Sequence, residues 1–188
     1  GMASLGGFLY PDPDQAAAGT ISPENVVRQM LDRFETVALP VYEAATTDLS
    51  LLDWVTLGSI VEKESVVAEE RRRIAGVFTQ RLAKGMKLES DPTVEYALGI
   101  RQTVDKPLTF AQVETPSPYN TYMNPGLPPA PIASPGIASL EATLDPEDTE
   151  FLFFMARYDG THIFSRTLAE HEAAIDRVVR ELETREVE

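Results

Sequence analysis

The stretch Leu57-Gly58-Ser59-Ile60-Val61-Glu62-Lys63-Glu64-Ser65 is mostly apolar and ends in two carboxylates, and the rest of the chain has to be built around it. Ser50 stands three residues before Asp53, the pattern of an N-cap with an acidic N3, so the spacing predicts a helix starting near Leu51. Helical neighbours recur at three and four residues, which puts Leu51, Val55, Gly58 and Glu62 on one face. Glu62 continues a largely apolar stripe, with Gly58 leaving room beside it. A carboxyl lodged on such a stripe is partly desolvated, which disfavours its charged form. A general acid working near neutral pH needs that property, so Glu62 is a candidate for it, although most Glu residues near helix ends are surface charges. Lys63 shares a face with Ser59 and Thr56 and reads as solvated. Glu64 shares a face with Ile60, Leu57 and Asp53, so periodicity alone does not exclude it.

Around this helix the patterns are short. Residues 1–20 are rich in Gly, Ala, Pro and Asp and read as irregular, with Phe8-Leu9-Tyr10 a strand-like piece stopped by Pro11. Gly1-Met2 reads as an expression remnant. Ser22-Pro23 opens a helix, with Ser as cap and Pro at the first helical position. Val26, Val27, Met30, Leu31, Phe34 and Val37 form its expected buried stripe, and Pro40 is expected to end it. Ala68 to Lys84 reads as a long helix with Ile74, Val77, Phe78 and Leu82 on its apolar face, a Glu69–Arg73 pair, and Gly85 just past its end. Alternating Met86 and Leu88 suggest a short strand. Asp91-Pro92 reads as the N-cap and first position of a helix over Thr93 to Leu98, closed by Gly99.

Thr109 and Gln112 make a capping box for another short helix. Ser134-Pro135 opens one more, which ends by Asp145-Pro146. Glu150 to Tyr158 is apolar enough for a buried strand, Asp159-Gly160 signals a hairpin turn, and Thr161 to Ser165 returns. Thr167 with Glu170 caps the last helix, whose charged end from Arg180 is expected to fray. Together these patterns predict one α+β domain over residues 1–188, with several helices packed against a small, mainly antiparallel sheet.

Composition narrows the chemistry. A formal net charge of −14 repels phosphate backbones, so no nucleic-acid role is expected. With no cysteine and only His162 and His171, neither a metal site nor a cofactor is called for. His162 follows the hairpin turn and is kept as a candidate, although a lone His there is more often structural. No run of 18 apolar residues suggests a transmembrane helix. The least regular region runs from Ser117 to Pro129, where Tyr119 and Tyr122 bracket Asn120 and Thr121. Flat aromatic faces and amide groups suit a pyranose, with C–H faces to stack on and hydroxyls to bond. The same composition also suits a rigid loop with satisfied polar groups.

Ser59-Ile60-Val61-Glu62-Lys63-Glu64-Ser65 resembles the signature of the YceG-like family, the endolytic murein transglycosylases. The likeness continues in order along the chain. Gly7-Phe8-Leu9-Tyr10-Pro11-Asp12 resembles the family's opening segment, and Glu70-Arg71, Ile74-Ala75-Gly76-Val77-Phe78 and Arg81-Leu82 its second block. Gln80 departs from the Asn expected there. Ser90-Asp91-Pro92-Thr93, Tyr119-Asn120-Thr121-Tyr122, Gly126-Leu127-Pro128-Pro129 and Pro131-Ile132 followed by Pro135-Gly136 complete the match.

The resemblance implies endolytic cleavage of peptidoglycan glycan strands between N-acetylmuramic acid and N-acetylglucosamine, leaving a 1,6-anhydromuramic end. Glu62 would be the single general acid and base, and Ser90, Asp91, Thr93, Tyr119, Asn120, Thr121 and Tyr122 would line the sugar cleft. One carboxyl suffices when the sugar's own C6 hydroxyl attacks, whereas a hydrolase needs a second. Asp91 reads as a helix cap as well, and a helix N-terminus can present N–H groups to a muramyl carboxylate. The resemblance further implies a membrane anchor and a LysM-like region ahead of this domain in the full-length protein. It also implies cell-wall synthesis proteins as partners and a location on the extracytoplasmic face of the bacterial inner (cytoplasmic) membrane. Two other readings stay open. One is a lysozyme-like muramidase with Asp91 as the second carboxylate. The other is a non-catalytic glycan-binding module in which Tyr119 and Tyr122 hold sugar and Glu62 is structural.

Overall fold

A computed structural model describes residues 22–103 and 105–185, so the readings made for residues 1–20 lie outside the described residues. The elements are α1 (Pro23–Arg33), a π-helical stretch (Phe34–Ala38), α2 (Leu39–Ala44), α3 (Leu51–Glu64), a 3-10 turn (Ala68–Glu70), α4 (Arg71–Ala83), α5 (Asp91–Leu98), α6 (Phe110–Val113), α7 (Ile137–Leu144), β1 (Phe153–Ala156), β2 (His162–Ser165) and α8 (Leu168–Arg185). β1 and β2 form an antiparallel hairpin with Phe154 opposite Phe164, and α8 packs on it. The architecture is the expected α+β domain.

α3 is the centre. The Ser50 hydroxyl caps it by accepting from the Asp53 N–H at 3.1 Å. Beyond the first turn, Trp54, Thr56, Leu57, Gly58, Ser59, Ile60 and Val61 are all buried. The expected solvated face is therefore wrong for Thr56 and Ser59 and right only for Lys63. The reason is the segment that drapes over that face: the Ser59 hydroxyl donates to the Thr56 carbonyl at 2.7 Å and accepts from the Ile132 N–H at 3.0 Å. Leu57, Ile60 and Val61 meet Ile74, Ala75 and Phe78 of α4, with Leu88, Ile132 and Ala142, in the main core. Trp54 anchors a second cluster with Ala38 and Leu140; its indole N–H donates to the Leu140 carbonyl at 2.9 Å, and Tyr42 stacks on it at 5.0 Å.

Other expectations need correction. Pro40 does not end the first helix. The chain loosens into a π-helical stretch and re-forms as α2 with Pro40 in the first turn, the part of a helix that tolerates proline. The stripe on α1 is not buried: Val27 and Leu31 are 54% and 63% exposed, because only the continuation through Phe34 and Ala38 reaches the core. Arg73 pairs with Glu147 at 2.8 Å in place of the expected Glu69 partner. Met86 to Leu88 forms no strand, since the Arg81 side chain takes the Lys87 and Leu88 carbonyls that a neighbouring strand would have used. α5 begins one residue earlier than expected, with Ser90 at the cap, and α7 two residues later, after Gly136.

α4 approaches the chain after α7 so closely that a Cβ on Gly76 would collide with the Glu147 carbonyl oxygen and stand 3.0 Å from Thr149 Cγ2. Backbone cannot swing aside as a side chain can. Gly76→Ala is therefore expected to destabilise the domain by about 1–3 kcal/mol, against the ~1 kcal/mol that Ala gains over Gly in a helix. Urea unfolding checks this, and an unshifted midpoint would mean that Glu147 moves freely.

Candidate active site

Successive helical residues turn by about 100°, so Glu62 and Glu64 leave α3 on nearly opposite sides. Glu62 faces α7. Its carboxylate accepts from the Gly136 N–H at 3.1 Å and the Ser139 hydroxyl at 2.6 Å. The N-cap of α7 is Gly136, which has no side chain, and Glu62 binds the cap's own N–H and the Ser139 hydroxyl from outside, placing a carboxylate at the start of the helix. The room expected beside Glu62 at Gly58 is occupied. A Cβ there would lie 2.8 Å from Leu140 Cδ2, so the glycine serves the close packing of α3 on α7.

Glu64 faces the start of α5. Its carboxylate Oε1 accepts from the Ser90 hydroxyl at 2.6 Å. Ser90 is buried and spends its side chain on Glu64 instead of on its own helix. Glu64 as a residue keeps some exposed surface, but its carboxyl group is densely surrounded by protein. Burial pushes its pKa up to about 7; the Ser90 hydrogen bond opposes the rise, and the charges of Asp91 and Glu95 add to it.

Asp91 is fixed on both oxygens. The Tyr122 hydroxyl donates to Oδ1 at 2.6 Å and the Gln102 amide to Oδ2 at 2.9 Å. Asp91 is thus the first residue of α5 and not its cap, and its side chain faces the loop. Burial, and then the Asp91 charge, push the Tyr122 phenol upward, so it remains a donor. The Gln102 N–H also binds Glu95 Oε1 at 2.7 Å.

The remaining expected cleft residues fall into two groups. Asn120 and Thr121 are buried, and their polar atoms hold the loop together. Asn120 Nδ2 donates to the Val113 and Thr115 carbonyls, both at 2.8 Å, and its Oδ1 accepts from the Tyr122 N–H at 2.9 Å. The Thr121 hydroxyl accepts from the Ser90 N–H at 3.0 Å and lies 2.9 Å from the Thr93 hydroxyl. Thr93 is buried as well and also donates to the Ser90 carbonyl at 2.6 Å. Tyr119 is half-buried, with its ring 4.8 Å from that of Tyr96. The loop therefore lies along α5, with Tyr122 at Asp91, Thr121 at Thr93 and Tyr119 at Tyr96.

His162 is elsewhere. Its Nδ1 lies 2.8 Å from Glu70, whose carboxylate also accepts from the His162 N–H at 3.2 Å, and the pair ties the hairpin to the turn before α4. Sequence reasoning missed Glu95, Tyr96 and Gln102, which carry no motif. Glu64 was visible as a carboxylate sharing a face with Ile60 and Leu57. An open apolar hollow of ≈ 560 Å³ beside Pro40, Val41, Ala44 and Leu144 contains none of this cluster. Among the described residues no group of His, Asp and Glu is arranged to hold a metal, and no helix is long and apolar enough to cross a membrane.

Fold and site together define a helical α+β domain built around one desolvated acid, flanked by a fixed carboxylate and tyrosines. The chain belongs to the YceG-like family, whose model matches residues 1–177. It is 37% identical over 182 residues to an endolytic murein transglycosylase of Bacillus subtilis, covering 93% of this chain and 48% of that protein. An endolytic murein transglycosylase of Streptococcus pneumoniae is 30% identical over 172 residues, with 89% of this chain and 31% of that protein covered. The chain thus spans half or less of the length of these curated relatives. A crystal structure of a YceG-like protein from Listeria monocytogenes superposes with a TM-score of 0.72 at 36% identity, over 89% of this chain and 54% of that one.

Proposed function

We propose that this chain is the catalytic part of an endolytic peptidoglycan lytic transglycosylase, and that Glu64 is its general acid and base. The observation that carries the reading is the desolvated Glu64 carboxyl, hydrogen-bonded to Ser90 and raised to about 7 beside Asp91. An acid with a pKa near the working pH holds a proton and can still give it up. Glu64 protonates the glycosidic oxygen as the bond to the muramic C1 breaks. The C6 hydroxyl of the same sugar then attacks C1, with the effective molarity of an intramolecular group, and gives its proton to the Glu64 carboxylate. The bond from C6 oxygen to C1 replaces the glycosidic bond, and no water is consumed. Asp91, fixed by Tyr122 and Gln102, stabilises the positive charge that develops at C1.

Glu62 was the expected acid from the sequence. Its carboxylate is engaged by Gly136 and Ser139, which favours a role in fastening α3 to α7. A muramidase reading would need Asp91 as nucleophile or base. Both its oxygens are already bonded, which favours the intramolecular route. The same reading puts the full-length protein, anchored, on the extracytoplasmic face of the cytoplasmic membrane near cell-wall synthesis proteins, because its substrate is there. A cytoplasmic distribution of the full-length protein would count against it.

Product mass decides the reaction. Peptidoglycan digested by this chain is expected to release fragments ending in 1,6-anhydromuramic acid, with no added water. Reducing muramic ends would make the enzyme a hydrolase, and binding without turnover would make it a glycan-binding module.

A further inference from the structure

Tyr96 has no role in the chemistry above, yet it packs on the loop that reaches Asp91. Along α5 the groups run from Ser90 at Glu64, through Asp91 at Tyr122, to Tyr96 at Tyr119. Five residues separate Asp91 from Tyr96, which is roughly 7.5 Å along a helix axis and about 140° around it, so the loop and not a shared helix face joins the two. Tyr96 is 48% exposed although its ring packs on Tyr119 at 4.8 Å with the planes at 53°. No described residue hydrogen-bonds either phenol oxygen, whereas the Tyr122 hydroxyl is committed to Asp91 at 2.6 Å. Two aromatic rings with free polar tips, one of them half open to solvent, make an amphipathic surface. A pyranose has the complementary one, with apolar C–H faces and hydroxyls at its rim.

We propose that Tyr96 and Tyr119 form an aromatic platform that holds a sugar ring of the glycan strand outside the pair being cut. The inference rests on the reading of Glu64 given above and adds a binding site to it. An enzyme that cuts within a strand needs purchase on sugars beyond the scissile bond. The loop that carries Tyr119 also bonds Asp91 through Tyr122, so one helix and one loop hold both the platform and the neighbour of the acid. Binding energy collected there acts on substrates long enough to reach it and is lost for shorter ones.

The test uses peptidoglycan glycan strands freed of stem peptides, long strands against a tetrasaccharide, with wild type, Tyr96→Ala and Tyr96→Trp. Tyr96→Ala is expected to raise KM on long strands by roughly tenfold, the worth of one buried ring face, with kcat nearly unchanged and little effect on the tetrasaccharide. Tyr96→Trp is expected to restore KM. An unchanged KM on long strands overturns the platform. Equal losses on both lengths, with no rescue by Trp, would mean that Tyr96 only packs the loop, and would overturn it too. Direct binding of long strands, measured by calorimetry, separates the two readings. If wild type binds strands without cutting them, the catalytic reading fails while weaker binding by Tyr96→Ala still supports the platform. If wild type cuts strands and Tyr96→Ala binds them as wild type does, the platform alone fails. If wild type binds no strand, both fail.

Discussion

Glu64→Gln is expected to keep the fold and lose nearly all cleavage. The amide fills the volume of the acid and can still accept from Ser90, so the junction of α3 with α5 should hold. It cannot protonate a leaving oxygen with an acid's driving force, nor receive the C6 hydroxyl proton. General acid–base groups typically contribute about 10² to 10⁴-fold, and a loss at or above that range is expected when one group serves both steps. Stability should move the other way. Between pH 4.5 and about 7 the unfolded chain gives up this proton while the folded chain keeps it, so stability falls as pH rises through that window. Above it the cost is on the order of 3 kcal/mol; below pH 4.5 it vanishes. Gln carries no such cost. The inactive variant should therefore be more stable than wild type at pH 8 and similar to it at pH 4. Glu62→Gln is the comparison, expected to retain most activity. If Glu62→Gln is dead and Glu64→Gln active, the role belongs to Glu62 after all.

Arg81→Met should cost about 3–5 kcal/mol of stability, because it leaves three backbone carbonyls without their donor, at about 1–3 kcal/mol for each buried one. Arg81 is 5% exposed. Its Nε donates to the Leu152 carbonyl at 2.6 Å, and its Nη1 reaches the Lys87 and Leu88 carbonyls at 2.9 and 3.0 Å and the Glu89 carboxylate at 3.0 Å. The guanidinium also lies over the Phe153 ring at 4.9 Å. Met fills part of the volume and satisfies none of these acceptors. Lys cannot span them either, being a point charge on a flexible stem, so Arg81→Lys should fall between. Glu89, one residue before Ser90, holds a positive φ of 52°. A non-glycine residue keeps that conformation only when its surroundings impose it. Urea unfolding measures the loss, and a shift worth under ~1 kcal/mol would mean that water replaces the guanidinium.

Helix starts were largely legible because a cap is a local event. Ser50 with Asp53, Ser22 with Asn25, and Thr109 with Gln112 bond within four residues. The hairpin was legible for the same reason, through Asp159 and Gly160. What failed depended on distant partners. The burial of Ser59 follows from Ile132, and the exposure of Leu31 from the lack of a covering element among the described residues. At the site, periodicity put a carboxylate on an apolar stripe and stopped at Glu62. Glu64 has its character from burial against the start of α5 and from the charges of Asp91 and Glu95, to which no helical spacing relates it. An amide that bonds three backbone groups, as that of Asn120 does, has the same sequence appearance as one that bonds a ligand.

The two carboxylates of α3 also make a mechanical arrangement. A helix packed only by apolar side chains can roll about its axis at small cost, since such contacts have no direction. The bonds of Glu62 to Gly136 and Ser139 are directional, and they act as a key in a shaft, fixing the azimuth of the helix. A roll of about 20° would carry a side chain lying ~5 Å from the axis nearly 2 Å sideways. Misplacement of about 1 Å can cost around a hundredfold in rate. The glutamate that faces α7 thus fixes the direction of the one that faces α5.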